Sequence, residues 1–280
     1  MYSVPPPRRD DCLDYRTISN ARRNPAVKQA LLSKAGLVEA AYAEYENAGG
    51  NPEQITVEGF GDAALAAMLE NCDALDTGRP FGSLRQEILS SARDGQCPMC
   101  GRGQVATLDH YLPKAHYPQF SIFSRNLIPA CHRCNFKKGD IIGKAAGRFL
   151  HAYFDALPER SILRVKTHVS DTVTLTYYIN LEATVDELTL RNAAFHFEKL
   201  QLAPYYQAEA TSELADRVEA LDVYYGPDGD ADLVRDYLTR EASSIQSAKG
   251  LNHWKTALFS SLAADPDFCD GGFRLLMPDF

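Results

Sequence analysis

Two Cys-x-x-Cys pairs constrain this chain more than any other feature of its sequence. Cys97 and Cys100 form the first pair, and Cys131 and Cys134 form the second. Two thiolates separated by two residues can bind one side of a tetrahedral Zn²⁺, and a second pair completes the ligand set. Four protein ligands leave no open position for water, so the cysteines predict a structural zinc. The 30 residues between the pairs exceed the usual zinc-motif spacing, which indicates that a folded segment lies between them.

Four short motifs occur in order in and around the two pairs. They are CPMC, LDHYLP, RNLIPAC and CHRCNFKKG. In order, spacing and residue chemistry they resemble the HNH family, a ββα-metal endonuclease superfamily. The resemblance covers residues 97–140, about 44 of the 280 residues. Its general outline is similar to nucleases carried in bacterial genome-defence and mobile-element contexts, so a role against phage or foreign DNA is expected.

The resemblance implies a catalytic site around one divalent cation. His110 titrates near neutrality and would serve as general base for phosphodiester hydrolysis. The Asp109 carboxylate and the Asn135 carbonyl would hold Mg²⁺ or Mn²⁺ through oxygen atoms. Asn126 matches the middle asparagine of the family and would hold the loop that positions the histidine. Family chemistry implies DNA as substrate and products with a 5′-phosphate and a 3′-hydroxyl.

Basic side chains within the same segment are expected to contact DNA phosphates. These candidates are Lys114, Arg133, Lys137 and Lys138. Outside a nuclease context, two adjacent lysines most often lie on a solvent-exposed surface without a binding role. Two further histidines are expected to be ordinary surface or loop residues. His132 lies between zinc ligands and should face solvent, and His116 is expected to be a loop residue.

Two other functions remain open at this stage. Paired Cys-x-x-Cys motifs also occur in zinc-stabilised nucleic-acid-binding modules without nuclease activity. The second alternative is a nuclease subunit that cuts only with a partner protein or in a homo-oligomer. Asp109, His110 and Asn135 together favour an active nuclease over the binding module.

Charge is distributed unevenly along the chain. The net formal charge is −8. Residues 97–144 contain seven Lys or Arg and two Asp, a charge of +5, whereas the remainder contains 22 basic and 35 acidic residues, a charge of −13. A small basic surface on an acidic protein still binds a polyanion locally. The acidic remainder predicts that a partner or an assembled oligomer controls access of DNA.

Composition and the remaining cysteines suggest a cytoplasmic protein. No run of about twenty apolar residues is present, so no membrane span or membrane partner is expected. The first residues lack the apolar core of a signal peptide. Cys12, Cys72 and Cys269 are scattered and odd in number, which fits a reducing compartment better than a disulfide scaffold.

Local patterns predict the elements of the nuclease-like segment and of the N-terminal region. Short strands are expected at 104–108 and 122–123, a turn at 126–129, and a helix over 131–138. Residues 1–20 are rich in proline and charge and are expected to be irregular. Helices are expected over 25–47, capped by Asn24 with Pro25 in the first turn, and over 63–75 and 83–93.

The C-terminal region is predicted to be mostly helical with one β-hairpin. Alternating apolar residues at 163–169 and 173–179 flank a turn at Ser170-Asp171. Thr184 and Glu187 have the spacing of a capping box that opens a helix. Further helices are expected over 209–221, 231–247 and 253–263, and Trp254 is expected in the core.

The sequence therefore predicts an α+β fold in three parts. A helical N-terminal region covers 1–95, a ββα-metal unit with structural zinc covers 96–150, and a mostly helical region covers 151–280.

Overall fold

A computed structural model describes residues 1–56, 58–76, 78–79 and 81–277. The chain is α+β, with two small antiparallel sheets of two strands each. It divides into two compact units, Ser3–Ala156 and Leu157–Phe280, the latter including Met1–Tyr2. The three-part division of the sequence stays a prediction. Among the described residues, no helix combines the length and apolar character needed to span a membrane.

Among the described residues, five α-helices precede the first cysteine pair. They are α1 (Asp11–Asn20), α2 (Pro25–Leu32), α3 (Ala35–Asn47), α4 (Asp62–Glu70) and α5 (Gly82–Ser90). The predicted Asn24 cap is confirmed, because its side chain accepts from the backbone N–H groups of Ala26 and Val27. A 3₁₀ helix, Asn71–Leu75, continues directly from α4.

Two expectations for this region are wrong. The predicted irregular arm contains α1, because Asp10 accepts from the N–H of Leu13 and thereby caps it, and Tyr15 and Ile18 are buried. The predicted continuous helix over 25–47 is broken after Leu32. There the Ser33 hydroxyl donates to the carbonyl of Ala30, a local bond that competes with the helical ladder.

A strand pair and a helix follow the first cysteine pair. Strand β1 (Thr107–His110) pairs antiparallel with β2 (Leu127–Ala130), placing Asp109 opposite Ile128. Helix α6 (His132–Lys138) follows β2 after Cys131. The helix expected over 131–138 is confirmed.

The second strand lies later in the chain than predicted. Residues 126–129, expected to form a turn, mostly belong to β2, whereas Ile122 and Phe123 lie in the loop between the strands. Both loop residues are buried, and the Phe123 ring stacks on Tyr42 of α3 at a centroid distance of 4.1 Å. Their apolar character therefore reflects packing of the loop on a helix, which a short sequence pattern cannot distinguish from a strand.

The second unit contains the predicted hairpin and a helical layer. Strands β3 (Leu163–Val169) and β4 (Val173–Ile179) pair antiparallel, which confirms the hairpin. Its helices are α7 (Glu187–Lys199), α8 (Leu202–Ala215), α9 (Val218–Tyr225), α10 (Ala231–Lys249), α11 (Trp254–Ala263) and α12 (Pro266–Cys269).

Some details of these helices differ from expectation. Asp186, rather than Thr184, caps α7 by accepting from the N–H of Thr189. The helix predicted over 209–221 is interrupted between α8 and α9, where α8 ends at Ala215 and α9 begins at Val218. Trp254 is buried as predicted and packs beside Tyr206, with a ring-centroid distance of 6.2 Å.

Asn252 joins the start of the hairpin to the chain before α11. Its Oδ1 accepts from the N–H groups of Ile162 and Leu163, and its Nδ2 donates to the carbonyls of Pro158 and Arg160. The residue is buried. One side chain thus pairs four backbone groups that would otherwise lose their partners.

We expect Asn252→Ala to lower the free energy of unfolding of this unit by about 3 kcal/mol, because buried backbone groups would be left unpaired. Urea denaturation measures the change. Asn180→Ala is the matched control, because Asn180 makes a single exposed side-chain bond, to the N–H of Glu182. Equal stability of the two variants would contradict the assignment.

Candidate metal centre and adjoining cleft

The first cysteine pair lies on a tight loop whose backbone is closed by hydrogen bonds. The N–H of Cys97 donates to the carbonyl of Gly103, and that of Gly101 donates to the carbonyl of Cys97. Gly101 has a φ of 66°, a conformation that glycine adopts without steric cost. The N–H of Gly103 also donates to Cys100 Sγ at 3.3 Å, which holds that sulfur in place.

The second pair lies at the start of α6. Cys131 is its N-cap, and Cys131 Sγ accepts from the N–H of Cys134 at 3.4 Å. Consequently the two sulfur atoms of this pair are fixed by the first turn of the helix.

The four sulfur atoms form one buried cluster. All lie within 4.8 Å of one another, and Cys100 Sγ is 4.0 Å from Cys131 Sγ. Zn–S bonds of about 2.3 Å in a tetrahedron place sulfur atoms about 3.8 Å apart, so a small contraction suffices. The cluster can therefore hold a structural metal such as zinc.

His110 ends β1, and its ring is oriented by a backbone carbonyl. His110 Nε2 lies 2.9 Å from the carbonyl oxygen of Ser121. A carbonyl only accepts, so Nε2 carries the proton and Nδ1 keeps its lone pair. Burial lowers the pKa of His110 to about 4, so the ring is neutral at pH 7. Ser121 is itself held, because its hydroxyl donates to the carbonyl of Met68 at 2.5 Å.

Asp109 and Lys138 form a buried ion pair. Lys138 Nζ lies 3.2 Å from Asp109 Oδ2 and donates to the carbonyl of His110 at 2.6 Å. Burial raises the pKa of Asp109, and the Lys138 ammonium opposes that shift. Among the described residues, Asp109 Oδ2 has no hydrogen-bond partner of suitable geometry.

The prediction that Lys138 contacts DNA is therefore wrong. Its side chain is 0% exposed, because the last turn of α6 packs over β1 and directs the ammonium inward. A phosphate group cannot reach it.

Asn135 follows Cys134 directly, so the metal cluster determines its position. Asn135 Nδ2 donates to Thr107 Oγ1 at 3.2 Å. This bond fixes the plane of the amide and directs Oδ1 away from Thr107. The side chain is half-buried.

One cleft of about 330 Å³ brings four of the predicted site residues together. Asp109, His110, Lys114 and Asn135 all line it. Lys114 Nζ lies 3.0 Å from Cys72 Sγ, also in the cleft wall. Residues far apart in sequence thus contribute oxygen, imidazole and ammonium groups to one space.

Several lining residues were not predicted. Asp73, Asp76, Arg85 and Asp140 also face this cleft. The first three precede the cysteine motifs and carry no local signal of function. Asp140 lies just after the second cysteine pair, where the sequence gives no indication of function beyond its charge.

Asn126 does not line the cleft but is completely buried. Its Nδ2 donates to the carbonyls of Leu112 and Phe120, and its Oδ1 accepts from the Leu112 N–H and from the Tyr45 hydroxyl. These four bonds hold both ends of the loop that contains Ser121.

The remaining candidates lie outside the cleft lining. Arg133 and Lys137 are half-buried on α6, and His116 and His132 are exposed. Exposure of His132 agrees with its expected solvent-facing position.

Comparison with known proteins gives two similarities. No family model matches the chain, and no solved structure matches it. The chain is similar to protein ea31 of Escherichia phage lambda, with 27% identity over 233 residues, 79% of this chain and 78% of that protein. It is also similar to the Septu protein PtuB of Bacillus thuringiensis, with 41% identity over 44 residues, 16% of this chain and 17% of PtuB.

We expect one tightly bound zinc per chain. Cys97→Ser and Cys131→Ser should each lose the metal and the local fold, because binding energy in such clusters is folding energy. Elemental analysis of purified protein measures the metal. Cys12→Ser is the control, because Cys12 lies outside the cluster, and this variant should retain zinc. Wild-type protein purified without zinc would refute the structural metal site.

Proposed function

We propose that the chain is a metal-dependent HNH-type endonuclease that hydrolyses phosphodiester bonds in DNA. One observation carries the proposal. A single cleft contains His110, whose bond to Ser121 leaves Nδ1 unprotonated, beside the oxygen-bearing side chains of Asp109 and Asn135. A base and hard oxygen ligands in one cleft are the groups that this hydrolysis requires.

His110 would remove a proton from the attacking water. Its Nδ1 is the acceptor, and the Ser121 carbonyl stabilises the proton that remains on Nε2. The ring is neutral before reaction, so its Nδ1 lone pair is available at pH 7, although burial holds the pKa at about 4, below the near-neutral value expected from the sequence and below the optimum for a general base. Asn126 has a positioning role, since it holds the loop that supplies the Ser121 carbonyl.

Asp109 and Asn135 would hold the divalent cation. The donor set fits it, because carboxylate and amide oxygens are the donors that Mg²⁺ prefers, and Asp109 and Asn135 line the same cleft. When bound, the cation would neutralise charge on the phosphate and the leaving oxygen. Lys138 favours the ionised carboxylate of Asp109, which is the form that binds cations.

DNA contacts would come from Lys114 at the cleft and from Arg133 and Lys137 on α6. Lys114 is half-buried in the cleft wall, where its charge can attract a phosphate. The other two would bind flanking phosphates. This arrangement replaces the predicted role of Lys138.

A role in bacterial defence against foreign DNA is part of the proposal. The similarity to a Septu protein supports it, although that similarity spans 17% of PtuB. The similarity to a phage lambda protein agrees with the mobile-element context expected from the motifs.

A second candidate is a nuclease subunit that is active only with a partner. Asp73, Asp76 and Asp140 line the same cleft as His110, and their carboxylates repel phosphate at close range. A partner that neutralises or displaces them would admit DNA. Efficient cutting of plasmid by the isolated chain at physiological salt would exclude this candidate.

We expect His110→Ala to reduce plasmid cleavage by roughly a hundredfold or more, since the general base is lost. Cleavage is followed by gel electrophoresis with Mg²⁺ or Mn²⁺. His116→Ala is the matched control, because His116 is exposed in the same loop, and it should cut like wild type. Unchanged cleavage in His110→Ala would place the base elsewhere. Tight DNA binding without cleavage by wild-type protein would favour the zinc-stabilised binding module.

We expect Asp109→Ala and Asn135→Ala to raise the Mg²⁺ concentration needed for half-maximal cleavage by roughly tenfold or more, because each removes an oxygen ligand. The double variant should lose little more than either single variant, since the residues act as one unit. The Mg²⁺ dependence of the initial rate measures both effects. Variants with wild-type Mg²⁺ dependence would show that these residues do not hold the ion.

A further inference from the structure

A second, larger cleft lies in the same unit as the candidate site. Its volume is about 780 Å³, and three arginines line it: Arg22, Arg23 and Arg79. We call it the arginine cleft. The acidic residues in its lining are Glu70 and Asp73, so its wall is positive on balance although the chain carries a net charge of −8.

Asn71 provides an independent indication that this cleft binds a ligand. It lines the arginine cleft and is 1% exposed. Within the described part of the chain, neither Nδ2 nor Oδ1 of Asn71 has a hydrogen-bond partner. Leaving both ends of a buried amide unpaired is costly, and a ligand that moved the 3₁₀ helix enough to open Nδ2 would supply a phosphate oxygen as its acceptor.

The arginines differ in how they are held. Arg22 Nη2 lies 2.5 Å from Glu70 Oε2, and the same nitrogen donates to the carbonyl of Ala67. Arg22 is therefore fixed against α4 as part of the wall. Arg23 and Arg79 are exposed, which allows their guanidinium groups to form the paired N–H contacts that phosphates favour.

The arginine cleft adjoins the cleft of the candidate site. The 3₁₀ helix Asn71–Leu75 forms the wall between them, with Cys72 and Leu75 lining the site cleft and Asn71 and Ala74 lining the arginine cleft. Asp73 lines both. A ligand that crosses this wall would contact both clefts.

We propose that the arginine cleft binds backbone phosphates of the nucleic acid strand whose scissile bond lies in the adjoining cleft. This proposal rests on the proposed nuclease function, which supplies a polyanion at the shared wall. Arg23 and Arg79 bind the phosphates, Asn71 donates from Nδ2, and Arg22 supports the wall. The cleft thereby places positive charge beside a site cleft lined by four aspartates, which offsets their repulsion of DNA.

Binding without cleavage tests the proposal. All proteins carry His110→Ala, divalent cations are omitted, and fluorescence anisotropy measures affinity for a labelled DNA duplex across a salt titration. With Arg23→Ala and Arg79→Ala combined, affinity at about 100 mM salt should fall roughly tenfold to a hundredfold. The slope of log K against log salt should become shallower by about 1.8, since two phosphate contacts are lost.

Two further variants make this result specific. Arg240→Ala removes an exposed arginine from α10, outside the lining of the cleft, and should bind like the parent protein. Asn71→Asp places a negative charge in the cleft at nearly constant volume and should also weaken binding. Zinc content and thermal melting confirm that this variant is folded. Parental affinity and salt slope in the double arginine variant would overturn the proposal.

A competition experiment distinguishes a nucleic acid strand from a free phosphate compound. Inorganic phosphate and a mononucleotide should compete with the duplex only weakly, because each offers a single phosphate group. Arginine-dependent mononucleotide binding, with duplex affinity unaffected by the arginine substitutions, would overturn the proposal in favour of a nucleotide site. These readouts do not require cleavage, so failure of the His110 prediction remains distinguishable from failure of this one.

Discussion

Convergence of four cysteine sulfurs is the constraint on which the rest of the candidate site depends. The sulfur atoms of two cysteine pairs, up to 37 positions apart in sequence, lie within 4.8 Å of one another. This fixes the first turn of α6 against the chain that enters β1. Asn135, one residue beyond Cys134, consequently reaches Thr107 on that strand, and Lys138 at the other end of α6 reaches Asp109. A metal in this cluster would therefore stabilise the geometry of the adjoining cleft as well as the local fold.

Stability alone does not explain the buried ion pair under the cleft. Removing a carboxylate and an ammonium from water costs free energy that their attraction only partly returns, and an apolar pair of similar size is often as stable. The Lys138 ammonium also binds the carbonyl of His110. It therefore fixes two consecutive residues of β1 and opposes the rise in the Asp109 pKa that burial causes. In the proposed nuclease, a carboxylate that must bind the cation would account for this energetic cost.

The parts of the site that the sequence predicted are those encoded by local spacing. Paired cysteines and the Asp109-His110 dipeptide are recognisable because each motif acts over a few residues. The direction of the Lys138 side chain depends on how α6 packs on β1, which the sequence does not show. Its neighbour Lys137 is also a lysine but lies in a different environment, so residue type alone could not distinguish the two. Asn71 and Asp73 could not be predicted at all, since only tertiary packing brings the 3₁₀ helix beside the cysteine segment. Fold prediction failed for a related reason at Ile122 and Phe123, because both are buried in a loop and Phe123 stacks on Tyr42 of α3, which imitates a strand pattern.

The N-terminal helices belong physically to the candidate site. Asp11 at the start of α1 accepts from the N–H and the hydroxyl of Ser124 and pairs with Arg125 at 2.6 Å. Burial raises the pKa of Asp11, and these bonds favour its charged form. The loop anchored in this way carries the Ser121 carbonyl that orients His110, while α4 supplies the Met68 carbonyl that holds Ser121. Strands β1 and β2 and the seven-residue helix α6 bury little apolar surface by themselves. The helices thus supply the rigidity that His110, oriented by one hydrogen bond, would require as the general base of the proposed nuclease.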